Sequence, residues 1–169
     1  MKKIIYIMLI IIVMCLWITK EKNILIPEES IRFRIIANSN DNIDQGTKML
    51  IKKDLEKNVF ELIQDSKSIE ETREIIKNNE QVIKDTIDKY NVPYSINYGQ
   101  NYFPEKNYKG ITYEEGTYES LVVTLGTGAG NNWWCVMYPP LCLLESNAEK
   151  YDDVEYKSYF KEIISQLTS

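Results

Sequence analysis

The stretch "GTGAGNNWWCVMYPPLC", Gly126 to Cys142, decides how the second half of the chain is read. An apolar, β-rich run from Thr117 to Leu125 precedes it. Trp133 to Tyr138 forms a second run, rich in the side chains that favour strands. Between the runs lie Gly126, Gly128 and Gly130, followed by Asn131 and Asn132. These are the residue types that take up the φ > 0 positions of tight turns. The pattern predicts a hairpin of strand, glycine loop and strand, with Pro139-Pro140 turning the chain away at its end.

The same glycines do not read as a phosphate cradle. A dinucleotide loop opens a helix whose N-terminus meets the phosphate, and a nucleotide-triphosphate loop ends in Lys-Ser/Thr. Here "NNWWCVM" follows, which is strand material. Trp133 and Trp134 are adjacent, so on a strand they face opposite ways. One can enter the core, and the other meets solvent, another element or a partner. The competing expectation is that both are buried, one beneath a helix and one beneath the segment 100–116.

Outward from this block, "IRFRIIA" alternates Ile31, Phe33 and Ile35 with Arg32 and Arg34, a strand pattern, and "NSND" at Asn38–Asp41 follows as a turn. A helix is expected from about Asp44 to Gln64, with Leu50, Ile51, Leu55, Val59, Leu62 and Ile63 as its buried stripe. Ser68-Ile69-Glu70-Glu71 is a capping-box signature that opens a second helix to about Lys77. Asn78-Asn79 interrupts it. A third stretch runs to Tyr90 with Val82, Ile83, Ile87 and Tyr90 inward, and Asn91 and Pro93 stop it. "YSINYG" at 94–99 alternates as a strand, and "NYFPEKNYKG" at 101–110 reads as loop. Tyr156, Tyr159, Phe160, Ile163, Ile164 and Leu167 recur at helical spacing, an amphipathic terminal helix. The expected fold class is α+β: a small mixed or antiparallel sheet of about four strands, helices packed on one face, preceded by an N-terminal hydrophobic segment.

Three segments follow: 1–22 as signal peptide or membrane anchor, 23–30 as linker with Pro27, and 31–169 as a single α+β domain. Lys2 and Lys3 precede an unbroken apolar run from Ile4 to Thr19. That layout serves both a secretory signal and a short anchor. The residues after it, Thr19-Lys20-Glu21-Lys22-Asn23, offer no small-x-small cleavage site, so both readings stand. Either one exports the rest of the chain and attaches it to a membrane at least transiently.

Composition narrows the function. At 169 residues and 44% hydrophobic, one domain with a substantial core is expected. Of 20 basic and 25 acidic residues, four and one lie up to Lys22, so the remainder is more acidic than the net charge of −5 suggests. Phosphate contacts need clustered Lys and Arg, so nucleic acid is disfavoured. The chain has no histidine. That removes Ser-His-Asp and Cys-His nucleophile pairs and any His-ligated zinc. No metal site, cofactor site or small-molecule substrate is expected. With Cys15 in the apolar run, an exported domain holds Cys135 and Cys142, which read as a disulfide or as two buried free thiols. A catalytic Cys135 would need a base that the chain lacks. Acid pairs such as Glu114/Glu115 and Asp152/Asp153 read as solvated surface, and no catalytic residue is assigned. A hydrolase of cell-wall material, working through Asp41 or Asp44 beside "ANSN", is the alternative from another class. A structural domain without signalling role is the third.

These blocks carry a family resemblance. "NWWCVMYPPLC" preceded by "GTGAG", "RFRIIANSNDNIDQGTKMLIKKDL", "SIEETREIIKNN" and "YFPEKNYKGITYEEGTYESL" resemble, in order and spacing over about residues 31–144, the stage II sporulation protein R family of endospore formers. Departures are Arg34 and Asn131, where members often carry His, and Glu114 in place of a usual Pro. The resemblance implies export across the forespore membrane into the intermembrane space. It implies as partner a membrane-embedded aspartic protease of the mother cell, which removes the pro-sequence of an early mother-cell sigma factor. It implies a signalling ligand and protease activator rather than an enzyme. On that reading an exposed member of Trp133, Trp134 and Tyr138 anchors the partner. Cys135 and Cys142 hold the segment in shape around Pro139 and Pro140.

Overall fold

The computed structural model describes Met8, Ile24–Leu25, residues 29–108 and residues 111–142. Apart from Met8, the apolar N-terminal run lies outside the described residues, as does the expected terminal helix. The elements are β1 (Ile24–Leu25), β2 (Ile31–Ile36), α1 (Asn42–Leu55), α2 (Ile69–Asn78), α3 (Glu80–Asp88), β3 (Tyr94–Phe103), β4 (Lys106–Tyr108), β5 (Ile111–Tyr113), β6 (Gly116–Leu125) and β7 (Asn132–Tyr138). The expected α+β architecture is present: a four-stranded mixed sheet ordered β3-β6-β2-β7, with three helices. A smaller sheet, β1-β5-β4, accompanies it. Two stretches differ from their reading. Ile24–Leu25, within the presumed linker, pairs in parallel with Ile111–Thr112. Residues 106–113, read as loop, form an antiparallel pair. All three strands are two or three residues long, too short for alternation to show in the sequence.

Alternation decides which face each strand buries. Ile31, Phe33 and Ile35 are fully buried in the core with Leu121, Val123 and Leu125 of β6, beneath Ile51 and Leu55 of α1, Ile76 of α2, and Ile83 and Ile87 of α3. Each such side chain contributes about 1.5–3 kcal/mol by leaving water. After α1 the helical path continues through a π-helical turn, Glu56–Phe60, and a last turn, Glu61–Ile63. The extra residue in the turn rotates the following face. Val59, Phe60 and Ile63 point inward, while Leu62 is 50% exposed. Leu50 (55%) and Val82 (38%) are also exposed, against their expected place in the buried stripes. Ser68 Oγ accepts from the Glu71 amide at 3.1 Å, the expected cap, and the Glu71 carboxylate accepts from the Lys67 amide.

The expected hairpin is not there. Strand β6 pairs with β3 in an antiparallel register running from Tyr94↔Leu125 to Phe103↔Gly116, and in parallel with β2. β2 then pairs antiparallel with β7, Phe33 opposite Cys135. The strand from the start of the domain is thus inserted between the two runs that the glycine loop joins. The loop crosses two strand spacings, about 10 Å, a distance that six residues span easily. It crosses over the end of β2 in close contact. The Gly130 amide donates to Ala37 O (2.9 Å), Ala129 to Asn38 O (3.1 Å), Thr127 to Asn38 Oδ1 (3.0 Å) and Asn131 to Asn40 Oδ1 (2.7 Å). Gly126 and Gly128 have φ of +54° and +66°, as a glycine turn demands. Asn131 and Asn132 do not share that region. Asn131 pairs with the Ala37–Asn40 turn and Asn132 opens β7.

A charged clamp ties α2 to the sheet. Arg73 Nε donates to both Glu119 carboxylate oxygens at 3.0 Å, its Nη2 donates at 2.8 Å, and Tyr98 Oη donates to the same carboxylate at 2.5 Å. Arg73 first, then Tyr98, hold Glu119 below its ordinary carboxylate range, against the opposing effect of burial.

Two outcomes follow. A Cβ on Gly130 would lie 2.2 Å from Ser39 O, a backbone atom, whereas Gly46 in α1 has nothing within 4 Å. Gly130→Ala should therefore lower stability by about 2 kcal/mol, and Gly46→Ala should leave it equal or raise it by up to ~1 kcal/mol, both read by denaturant unfolding. Glu119→Gln should cost about 1–2 kcal/mol at pH 7. Because the folded-state pKa is depressed, that advantage of the wild type is fully present above about pH 4.5 and disappears as pH falls through the lower folded value. Parallel unfolding curves at pH 7 and pH 3 measure it.

Candidate functional site

The Trp133–Cys142 block is strand β7 and the turn after it. Trp134 is 5% exposed. It faces away from the helices and stands edge-on to Phe103 (5.5 Å) and Tyr113 (5.0 Å), with Lys106 Nζ 5.0 Å from its ring. These residues come from the segment 100–116, so this tryptophan is covered as the competing expectation had it and offers no anchor. Trp133 faces the opposite way. It is half-buried, edge-on to Phe33 at 6.1 Å, under Lys52 of α1 at 4.9 Å. Tyr138 is half-buried against the core, opposite Ile31. Its phenol is pushed up by burial first, then by the charges of Glu70 and Glu29. Tyr138 thus sits at the edge of an acidic surface. The Tyr138–Pro139 bond is cis, and the Pro139-Pro140 turn returns Leu141 so that its amide donates to Val136 O at 3.1 Å. Cys135 and Cys142 are joined as a disulfide with Cα atoms 5.2 Å apart, and both are buried.

Behind Trp134 the sheet carries a feature the sequence pattern does not announce. Arg32, on the strand face opposite to that of Ile31, Phe33 and Ile35, is fully buried. Its guanidinium carbon lies 3.4 Å from the Tyr118 ring centroid and 5.3 Å from those of Phe103 and Trp134. Nη2 donates to Glu114 O at 3.3 Å, while Nε and Nη1 have no hydrogen-bond partner. Burial lowers its pKa from the ordinary arginine value, opposed by Tyr118 and Tyr113. Arg34 beside it donates to Tyr102 O at 2.8 Å and lies 4.3 Å from the Phe103 centroid. The aromatic spacing over 102–118 was the available signal for this cage.

The glycine loop cannot cradle a phosphate, because its donors are spent. Besides the four amides above, Gly126 donates to Pro93 O (2.6 Å) and Gly128 to Leu125 O (3.0 Å). Every amide from Gly126 to Asn131 is therefore satisfied within the fold. Asp44, one of the two acids weighed for hydrolysis, accepts from Asn38 Nδ2 (2.9 Å) and Ser39 Oγ (2.6 Å). Ser39 first and Asn38 second hold it below the ordinary range. Asp41 is exposed and does not line the groove of about 520 Å³ where Asp44 sits with Thr47, Val92 and Gly126. A general acid needs a raised pKa, which is the opposite of the shift at Asp44 and at Glu119. Among the described residues no three His, Cys, Asp or Glu are grouped to hold a metal ion. A larger cleft, about 670 Å³, lies at the other end of β6, between the start of that strand and α2.

Residues 27–148 match the model of the stage II sporulation protein R family. The chain is 37% identical over 150 residues to stage II sporulation protein R of Bacillus subtilis strain 168, covering 85% of this chain and 67% of that one. No solved structure matches the chain. The shared region takes in β2, the interlocked loops, the arginine cage and the stapled turn, and on that footing the chain belongs to the stage II sporulation protein R family, with a function in sporulation.

Proposed function

We propose that this chain is an exported, non-enzymatic ligand of endospore formation. It crosses the forespore membrane into the intermembrane space and engages a membrane-embedded aspartic protease of the mother cell. Engagement favours the protease's active arrangement, and the protease removes the pro-sequence of an early mother-cell sigma factor. The family membership carries this reading. The Lys2-Lys3 start and apolar run to Thr19 support export. The Cys135–Cys142 disulfide suits an oxidising compartment. The absence of histidine and the internally satisfied glycine loop leave the chemistry to the partner. A ligand activates only through a difference in affinity for two partner states, so the contact surface must be held in one shape. Of the three aromatics of the block, Trp134 is buried, whereas Trp133 and Tyr138 are half-buried; we take Tyr138, which feels the charges of Glu70 and Glu29, as the anchor.

Reconstitution tests the reading. Purified chain added to membranes holding the protease and its pro-sigma substrate should accelerate cleavage, and an unchanged rate sinks the proposal. Two variants separate contact from folding. Tyr138→Ala should cut the stimulated rate about tenfold or more, as loss of an anchor does, with little change in thermal midpoint. Trp134→Ala should instead lower stability by about 3–5 kcal/mol, and its loss of stimulation should track its unfolding.

A further inference from the structure

The cleft of about 670 Å³ at the N-terminal end of β6 is lined by Glu29, Glu70, Glu114, Glu115 and Glu119, with Ser30 and Arg73 among them. Among the described residues Arg73 is the one cation lining it, and it is committed: three hydrogen bonds go to Glu119, and Nη1 reaches Glu70 at 3.3 Å. Among the described residues no Lys or Arg pairs with the carboxylates of Glu29, Glu114 or Glu115. Glu115 accepts only from the Tyr102 hydroxyl, at 3.1 Å. Three exposed carboxylates thus converge on one concavity without counter-charge.

A solvated acidic rim would show only that. This cleft has more. Ser30, at its wall, is 3% exposed, and its Oγ has no hydrogen-bond partner. A buried hydroxyl left unpaired carries a desolvation penalty, which an occupant that donates to it recovers. Below the wall, Arg32 stacks on the Tyr118 ring and donates to the backbone carbonyl of Glu114, both lining residues, which holds that ring and the backbone at Glu114 in place.

We infer that this cleft is the docking site for a basic, Lys/Arg-bearing segment of the protein partner. The assignment rests on the reading that the chain acts by binding a protein. Lysine ammonium and arginine guanidinium groups pair with the carboxylates of Glu29, Glu114 and Glu115, and one of them donates to Ser30 Oγ. Convergent like charges on low-dielectric walls focus the field into the cleft, and the volume takes several side chains rather than one ion. An anionic membrane surface is repelled by the same charges. The chain's own residues after Cys142 carry three lysines against six acids, so they do not complement the cleft.

The test uses the full-length chain in detergent, with a fluorescent nonalysine peptide as probe and nonaglutamate as its control. The wild type should bind nonalysine alone, more weakly as salt rises from about 50 to 300 mM. Glu29→Gln/Glu114→Gln/Glu115→Gln should weaken binding at least tenfold. The control Glu61→Gln/Asp65→Asn/Asp85→Asn removes the same charge from exposed sites elsewhere and should leave affinity within twofold. Equal losses in the two variants would reduce the effect to overall acidity and overturn the site. So would a wild type that binds no peptide, even one that stimulates pro-sigma cleavage. Conversely, a wild type that binds through the cleft but never stimulates cleavage overturns the protease reading and leaves the cleft standing.

Discussion

A guanidinium at the centre of a sheet sets the terms for everything on the face away from the helices. Arg32 lies on the strand with neighbours on both sides, so neither its backbone nor its side chain can reach water. A charge in that position is tolerated only when surrounding groups compensate for the lost hydration. Here aromatic faces do most of that: Tyr118 from β6, Phe103 from β3 and Trp134 from β7, with one carbonyl from Glu114. The three rings come from three different strands, so the cage also records the strand order. The antiparallel pair β4–β5 completes it by laying Tyr113 on Trp134. Among the described residues, the second face is thereby closed by aromatic rings and this short pair rather than by helices.

The insertion of β2 has a second consequence at the other end of the strand. Since the β6–β7 connection must pass over β2, the "NSN" turn and the glycine loop meet whether or not either has a ligand. Gly126 leaves no room beside Asn38 for a side chain, and Gly130 none beside the Ser39 carbonyl. The polar side chains of the turn serve the same purpose, with Asn38 and Asn40 accepting loop amides and Asp44 anchored to Asn38 and Ser39. A motif that looks like binding chemistry in one dimension is a joint in three.

What was legible in the sequence followed from local physics. Alternation at Ile31–Ile35 marked β2, the Ser68–Glu71 box marked the start of α2, and Asn79 separated α2 from α3, each visible within a few residues. The hairpin was misread because pairing is non-local: nothing in Thr117–Tyr138 reports that Ile31–Ile36 lies between its halves. What covers Arg32 was not legible for the same reason, since alternation separates two faces but does not say what covers the second. Leu62 was assigned to the core by helical period, and the π-helical turn shifts the face after Leu55 without a mark in the sequence; Leu50, ahead of that turn, lies outside the buried stripe of Ile51 and Leu55. At the site, the covering of Trp134 by the segment 100–116 was among the weighed expectations. The acidic cleft was not, because Glu29, Glu70 and Glu114–Glu115 come from three separate segments.

The two ends of β6 are therefore built for different work. At Leu125 the loop amides are consumed by the fold, and the Asp44 carboxylate is held by Asn38 and Ser39. At Gly116 the reverse holds: among the described residues no Lys or Arg pairs with Glu29, Glu114 or Glu115, and Ser30 Oγ has no partner. Folding stability gives no reason to gather like charges around an unpaired hydroxyl, because each addition opposes the others in a cleft that screens them poorly. Binding gives one. The arginine cage holds Tyr118 and the Glu114 carbonyl in its wall, which lowers the ordering cost of association. A surface that is restrained, charged in one sense and incompletely satisfied suits the proposed docking of a basic partner segment.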